Sequence, residues 1–116
     1  MTHRIFDMPF STVYPLYVKK VERKGQNEVD LLTVISWLTG YSNQELLKLS
    51  KDSTTFREFF DRAKLNENAS LITGVICGMR VENIEDPLMQ KIRYMDKIVD
   101  ELANGKKLEK ILRPTD

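Results

Sequence analysis

Apolar residues recur along most of the chain at intervals of three and four, which is the spacing of one face of an α-helix. In 14-YPLYVKKV-21 these positions are Tyr14, Tyr17, Val18 and Val21. The same spacing is found in 31-LLTVISWL-38, 56-FREFFDRA-63 and 88-LMQKIRYMDKIVDEL-102. Each of these segments is therefore predicted to form an amphipathic helix that buries one side.

Polar residues and glycines mark the predicted ends of these helices. The segments Ser42–Glu45 and Thr55–Glu58 each have a hydroxyl residue three positions before a glutamate, the capping-box pattern. The pair Asp86–Pro87 has the order favoured at a helix start, a cap followed by proline. Glycines are favoured where a helix ends in a left-handed residue. Three of them predict such ends: Gly25, Gly40 and Gly105.

The segment 70-SLITGVICGMRV-81 is compatible with either a strand or a buried helix. No second strand-like run is present to pair with it, and an isolated strand pair is only marginally stable. We therefore predict a buried helix, with Gly74 and Gly78 on one side where a neighbouring helix can approach closely. In such a helix Cys77 is expected to be a buried, unreactive thiol.

These patterns predict an all-α protein: a compact orthogonal bundle of six or seven short helices, forming a single domain over residues 1–116. A length of 116 residues with 41% hydrophobic residues suits one core. Residues 1–10 are predicted to form an extended arm packed on the body, because Pro9 disfavours helical dihedral angles at Met8.

Composition and charge narrow the possible functions. The 18 basic and 17 acidic residues give a net charge of +1, which argues against a protein held to nucleic acid mainly by charge. A single cysteine cannot form an internal disulfide. The sequence has no secretory segment and no apolar run long enough to cross a bilayer. A cytoplasmic protein without membrane attachment is therefore expected.

Catalytic and metal-binding patterns are weak, so the enzyme question stays open with a negative expectation. His3 is the only histidine and lies in the predicted arm. The acids at Glu82, Glu85 and Asp86 are explained by the helix start that follows them, because negative charge is favourable there. We expect no metal and no cofactor.

The stretch 36-SWLTGYSNQELLKLS-50 has the outline of a helix-turn-helix. In that interpretation the second and third helices bind DNA, and Asn43, Gln44 and Lys48 are the candidate contacts. Asparagine and glutamine side chains can recognise adenine. However, the third helix has no arginine and presents Glu45 to the phosphates. A plain corner between two packed helices explains the same residues.

A polar set close to core-facing positions is a second candidate site. It consists of Arg80, Arg93, Tyr94 and Asp96. Arg93 lies at the edge of an apolar stripe and could pair with Glu82, Glu85 or Asp86. The set could line a pocket for a small anionic ligand or substrate, whereas a structural ion pair explains it as well.

Several longer motifs carry a family resemblance. They are 2-THRI-5, 8-MPFSTVYP-15, 37-WLTGYS-42, 71-LITGVICG-78 and 82-ENIEDPLMQKIRYMDKIVDELANGK-106. On these residues the chain resembles a small bacterial family catalogued as domain of unknown function 2200. The resemblance implies a compact, mostly helical bacterial protein and brings no activity, ligand or catalytic residue.

The function expected from the sequence is that of a binding or regulatory module acting through a surface or an oligomer interface, with a homo-oligomer or a protein as partner. DNA binding by the second and third helices is the alternative. A small-ligand enzyme or binder with a pocket near Arg80 and Arg93 is a further one.

Overall fold

The structure is a computed structural model that describes residues 4–113. Within this range six α-helices surround one hydrophobic core, so the predicted mostly helical bundle is confirmed. The helices are α1 Phe10–Arg23, α2 Glu28–Thr39, α3 Asn43–Leu49, α4 Phe56–Arg62, α5 Pro87–Ala103 and α6 Leu108–Ile111. Turns of 3-10 helix occupy Arg4–Asp7, Glu67–Leu71 and Val81–Asn83. No helix in the described range is long and apolar enough to span a membrane.

The longest helix, α5, lies at the centre of the packing. It contacts α1, α2, α4 and α6, and α1 also contacts α2. The apolar faces predicted from the spacing are the buried ones. Burying one such aliphatic side chain contributes roughly 1.5–3 kcal/mol. Residues fully removed from solvent include Val21, Leu31, Val34, Ile35, Leu38, Ile92, Met95, Ile98 and Val99.

The N-terminal segment packs on the body through α4. The rings of Phe10 and Phe59 stack with their centroids 4.5 Å apart. The backbone N–H of Phe10 donates to Thr54 O, and that of Phe56 donates to Met8 O, both at 2.9 Å. The predicted packing of the arm is therefore confirmed, but its extended form is wrong for Arg4–Asp7, which is a 3-10 turn. Residues 1–3, with His3, lie outside the described range.

Both predicted capping boxes are present. In the first, the Ser42 hydroxyl accepts from Glu45 N at 3.1 Å and the Glu45 carboxylate accepts from Ser42 N at 2.8 Å. The second joins Thr55 and Glu58 in the same way. Tyr41, in the turn between α2 and α3, is tied to α4, because its hydroxyl donates to Phe59 O at 2.6 Å. The angle between α2 and α3 is thus held by local caps and by one contact to α4.

The predicted helix over 70–81 is wrong, because this segment folds back on itself as a hairpin. Strands β1 Val75–Ile76 and β2 Met79–Arg80 are antiparallel, with Val75 opposite Arg80 and Ile76 opposite Met79. The turn residues Cys77 and Gly78 have φ of 51° and 78°. Two successive positive φ values are typical of a type I′ hairpin turn and interrupt a right-handed helix. The predicted absence of a pairing partner is thus wrong, because both strands of the pair lie within residues 70–81.

Candidate functional site: a hairpin groove and a buried polar cluster

A groove lies between the hairpin and the start of α5. It encloses about 530 Å³. Its apolar surface comes from two methionines and an isoleucine, and its rim carries both signs of charge. The lining residues are Met79, Arg80, Asn83, Ile84, Glu85, Asp86 and Met89. An apolar floor with a few polar groups at its edge is the usual composition of a binding site. We call this surface the hairpin groove.

The base of the hairpin is held by Glu82. Its carboxylate accepts from Gly74 N at 3.0 Å and from Arg80 Nη1 at 3.1 Å. The Gly74 N–H, more than the Arg80 charge, lowers the pKa of Glu82 below its ordinary value. On the other side of the hairpin, Lys97 Nζ donates to Val75 O at 3.2 Å. The short sheet is therefore fixed to α5 at its side and closed at its base.

The start of α5 forms the opposite wall of the groove. The Asp86 side chain accepts from Met89 N at 2.9 Å, which is the helix cap that the sequence predicts. Met89, in the first turn of α5, lines the groove, and its side chain is almost fully buried. Asp86 therefore caps α5, in agreement with the sequence-based interpretation that the helix start explains this acid.

A second polar site joins α1 to α5. Asp96 is held on both carboxylate oxygens, by the Tyr17 hydroxyl at 2.5 Å and by Arg93 Nη1 at 2.7 Å. The side chains of Arg93 and Asp96 are 20% and 17% exposed, so this ion pair is mostly buried. Burial, and then the charge of Asp96, raise the pKa of Tyr17 well above its ordinary value of 10.0. The tyrosine therefore stays a neutral donor.

Cys77 lies at the tip of the hairpin and is exposed, so the predicted buried thiol is wrong. Its place at the tip of the hairpin turn, with a positive φ, explains the difference, because the predicted helix that would have buried it does not form. Arg93 Nη1 lies 3.6 Å from the sulfur and within hydrogen-bonding range of it. The Arg93 Nε is buried and has no hydrogen-bond partner within residues 4–113.

The structure separates the four residues of the predicted polar set. Arg93 and Asp96 are together, and Arg93 pairs with Asp96 and not with an acid in 82–86. Arg80 pairs instead with Glu82 and lines the hairpin groove. Tyr94 is buried on another side of α5, since neighbouring helical positions diverge by about 100°. Burial raises its pKa.

The sequence pattern does not identify three residues of these sites. Tyr17 falls on the predicted apolar face of α1, and only its hydroxyl group indicates a polar partner. Met79 falls in the predicted buried helix, and Met89 falls beside the predicted core face of α5. Methionine is enriched at adaptable binding surfaces, which is the signal that could have drawn attention to them.

The candidate DNA-contacting residues lie on α3. Asn43, Gln44 and Lys48 are exposed there. The helix has only 7 residues, and the Glu45 side chain is engaged in the capping box. The Gly40 turn is covered by the segment after α4, where Lys64 N donates to Thr39 O at 2.8 Å. The α2–α3 turn is therefore packed against the rest of the protein, while the side of α3 that carries Asn43, Gln44 and Lys48 is exposed.

The chain is thus a small helical protein with a docked hairpin, a groove beside it and a buried polar cluster between α1 and α5. Within the described residues, no group of three or more His, Cys, Asp or Glu side chains is placed to hold a metal ion.

The chain belongs to the family described as uncharacterized protein conserved in bacteria (DUF2200), whose match covers residues 4–113. The expected family is confirmed. The crystal structure of the uncharacterized protein SP1917 is similar, with a TM-score of 0.90 and 42% sequence identity. The alignment covers 97% of this chain and 93% of that one. No curated protein matches the chain.

Proposed function

We propose that the protein is an interaction module whose working unit is a symmetric dimer formed through the hairpin groove. The observation that carries this proposal is the presence of a protrusion and a recess on one surface. Met79, which lines the groove, is 42% exposed. An exposed apolar side chain inside a groove indicates a contact surface, whereas scattered ones need no explanation.

The charges at the groove favour a second copy of this chain as the occupant. Arg80 stands on one side of the rim, and Glu85 and Asp86 stand on the other. In a two-fold symmetric contact the same patch meets itself, so each copy must carry both halves of every pair. A rim with both signs meets that requirement: Arg80 of one copy would face the acids of its partner while the hairpins enter the opposite grooves.

The methionines suit this role. An unbranched thioether side chain adapts to an irregular surface, and Met79 and Met89 contribute two of them to one groove. The proposal assigns no catalytic step and no cofactor. It includes the cytoplasmic location expected from the sequence.

Sedimentation velocity over a concentration series tests the proposal. We expect a dimer with a dissociation constant of about 10 µM, which corresponds to roughly 7 kcal/mol of association free energy. Met79→Glu should yield a monomer, because it places a charge inside the apolar contact. Leu47→Glu is the matched control: Leu47 is an exposed leucine on α3, and its replacement should leave the dimer intact.

A charge exchange tests the symmetry of the contact. Glu85→Arg should weaken the dimer, and the double variant Arg80→Glu with Glu85→Arg should restore it. A wild-type protein that stays monomeric at about 100 µM would refute the dimer. So would a dimer that tolerates Met79→Glu.

A further inference from the structure

We propose a second interaction surface on α1, which binds an acidic helical segment of a partner protein. The surface is formed by Leu16, Lys19, Lys20, Arg23 and Lys24, and we call it the basic face. These residues line one depression of about 390 Å³. The basic face is separate from the proposed dimer contact, because none of its residues lines the hairpin groove.

The sequence spacing places these residues on one side of the helix. Counted from Leu16, the cations follow at i+3, i+4, i+7 and i+8. The cations form two rows along the helix, both beginning one turn after Leu16. One row is Lys19 and Arg23, and the other is Lys20 and Lys24. Four helical residues rise about 6 Å, so each row presents two cations at that spacing.

The basic face has more positive charge than its surroundings neutralise. Among residues 4–113, Lys20 is the one member with an ion pair, to Asp100 at 3.1 Å. Lys19, Arg23 and Lys24 have none in that range, although the whole chain carries a net charge of only +1. Glu22 lies on α1 between them and lines a neighbouring depression, which Lys19 also borders, but it forms no ion pair with a cation of the basic face within residues 4–113.

The negative end of the helix dipole explains only part of this pattern. It favours Arg23 and Lys24 in and just beyond the last turn. It gives no reason for Leu16, which is 57% exposed two turns earlier and borders the same depression. An apolar centre between two cationic rows is instead suited to a partner that carries both an apolar side chain and anions.

The contact between α1 and α5 gives one example of an anion that pairs with a cation of the basic face. Tyr17 contacts Asp96, and one turn later Lys20 contacts Asp100, so the two helices run parallel. Asp100 is thus a carboxylate on a neighbouring helix that pairs with a cation of α1. A partner helix with acids at i and i+4 presents carboxylates about 6 Å apart, which matches each row of the basic face.

Two other classes of polyanion fit this surface less well. Single-stranded nucleic acid is bound on exposed aromatic rings, but the tyrosines of α1, Tyr14 and Tyr17, are buried. Insertion into an anionic membrane needs a broad apolar face, and Leu16 is the one large apolar residue on this face that is mostly exposed.

Fluorescence polarisation with a labelled peptide tests the inference. The probe is a helical peptide with glutamates at i and i+4 in two rows beside one leucine. The same composition in scrambled order is its control. We expect the ordered peptide to bind more tightly than the scrambled one. Its affinity should fall when salt is raised, because exposed charges are screened.

Lys19→Glu should weaken the binding of the ordered peptide by about tenfold. Lys64→Glu makes the same change of charge at an exposed site outside the basic face and should alter binding less than about twofold. Equal binding of both peptides, or equal loss in both variants, would overturn the inference. So would tighter binding of a random DNA duplex or of phosphatidylserine vesicles, each measured in parallel.

Discussion

Tyr17 and Asp96 lie 79 positions apart in the chain and are joined by a hydrogen bond of 2.5 Å from the tyrosine hydroxyl to Oδ1. The other oxygen of Asp96 accepts from Arg93. The carboxylate is therefore held from two helices at once. Because this cluster is mostly buried, removing one member leaves the others with an uncompensated charge or an unpaired donor.

Arg93→Ala is expected to destabilise the fold by about 2 kcal/mol or more, because it leaves Asp96 buried without its cation. Urea denaturation measures this loss. Arg62→Ala is the matched control, since the Arg62–Glu58 pair is more exposed and lies outside the hairpin groove, and it should cost less than about 1 kcal/mol. If Arg93 is a ligand-binding residue, small anions should stabilise the wild type in a thermal screen and not the variant. For a structural role we expect no such difference.

The raised pKa of Tyr17 predicts a stability that depends on alkaline pH. The folded state keeps the hydroxyl neutral above pH 10.0, whereas the unfolded chain ionises there. The stabilisation is thus fully present below pH 10.0 and is lost as pH rises through the folded-state pKa. Tyr17→Phe should cost about 1–3 kcal/mol near neutral pH.

Denaturation midpoints of wild type and Tyr17→Phe at about pH 8 and about pH 11 test this dependence. The difference between the two proteins should shrink at the higher pH. Tyr14, Tyr41 and Tyr94 also have raised pKa values, but they are present in both proteins and cancel in the comparison. A constant difference across this range would contradict the assignment.

Gly40→Ala is expected to be more damaging than Gly25→Ala. Both glycines have positive φ, 78° and 87°, so either alanine meets the backbone strain of about 1 kcal/mol. At Gly40 a Cβ atom would also lie 2.9 Å from Lys64 O, whereas at Gly25 nothing lies within 4 Å. The additional crowding should cost about 1–3 kcal/mol. Equal midpoints for the two variants in urea would argue against close packing of Lys64 on the turn.

The sequence by itself determined the helices and most of their limits. The boxes at Ser42–Glu45 and Thr55–Glu58 and the cap at Asp86 are made between residues three apart, so their pattern can be read locally. The apolar faces of α1, α2, α4 and α5 follow from the same short spacing. Each apolar face must pack against another part of the protein, but the sequence spacing does not indicate which helix that is.

Only the tertiary structure decided the hairpin, the groove and the Tyr17–Asp96 pair. The segment 70–81 has no periodicity that separates strand from helix. Its hairpin is fixed by contacts outside its own strands, including Lys97 of α5. Likewise, nothing near Tyr17 in sequence specifies Asp96. Local hydrogen bonds depend on residues a few positions apart, whereas these features depend on how distant helices pack, and that is set by the whole core.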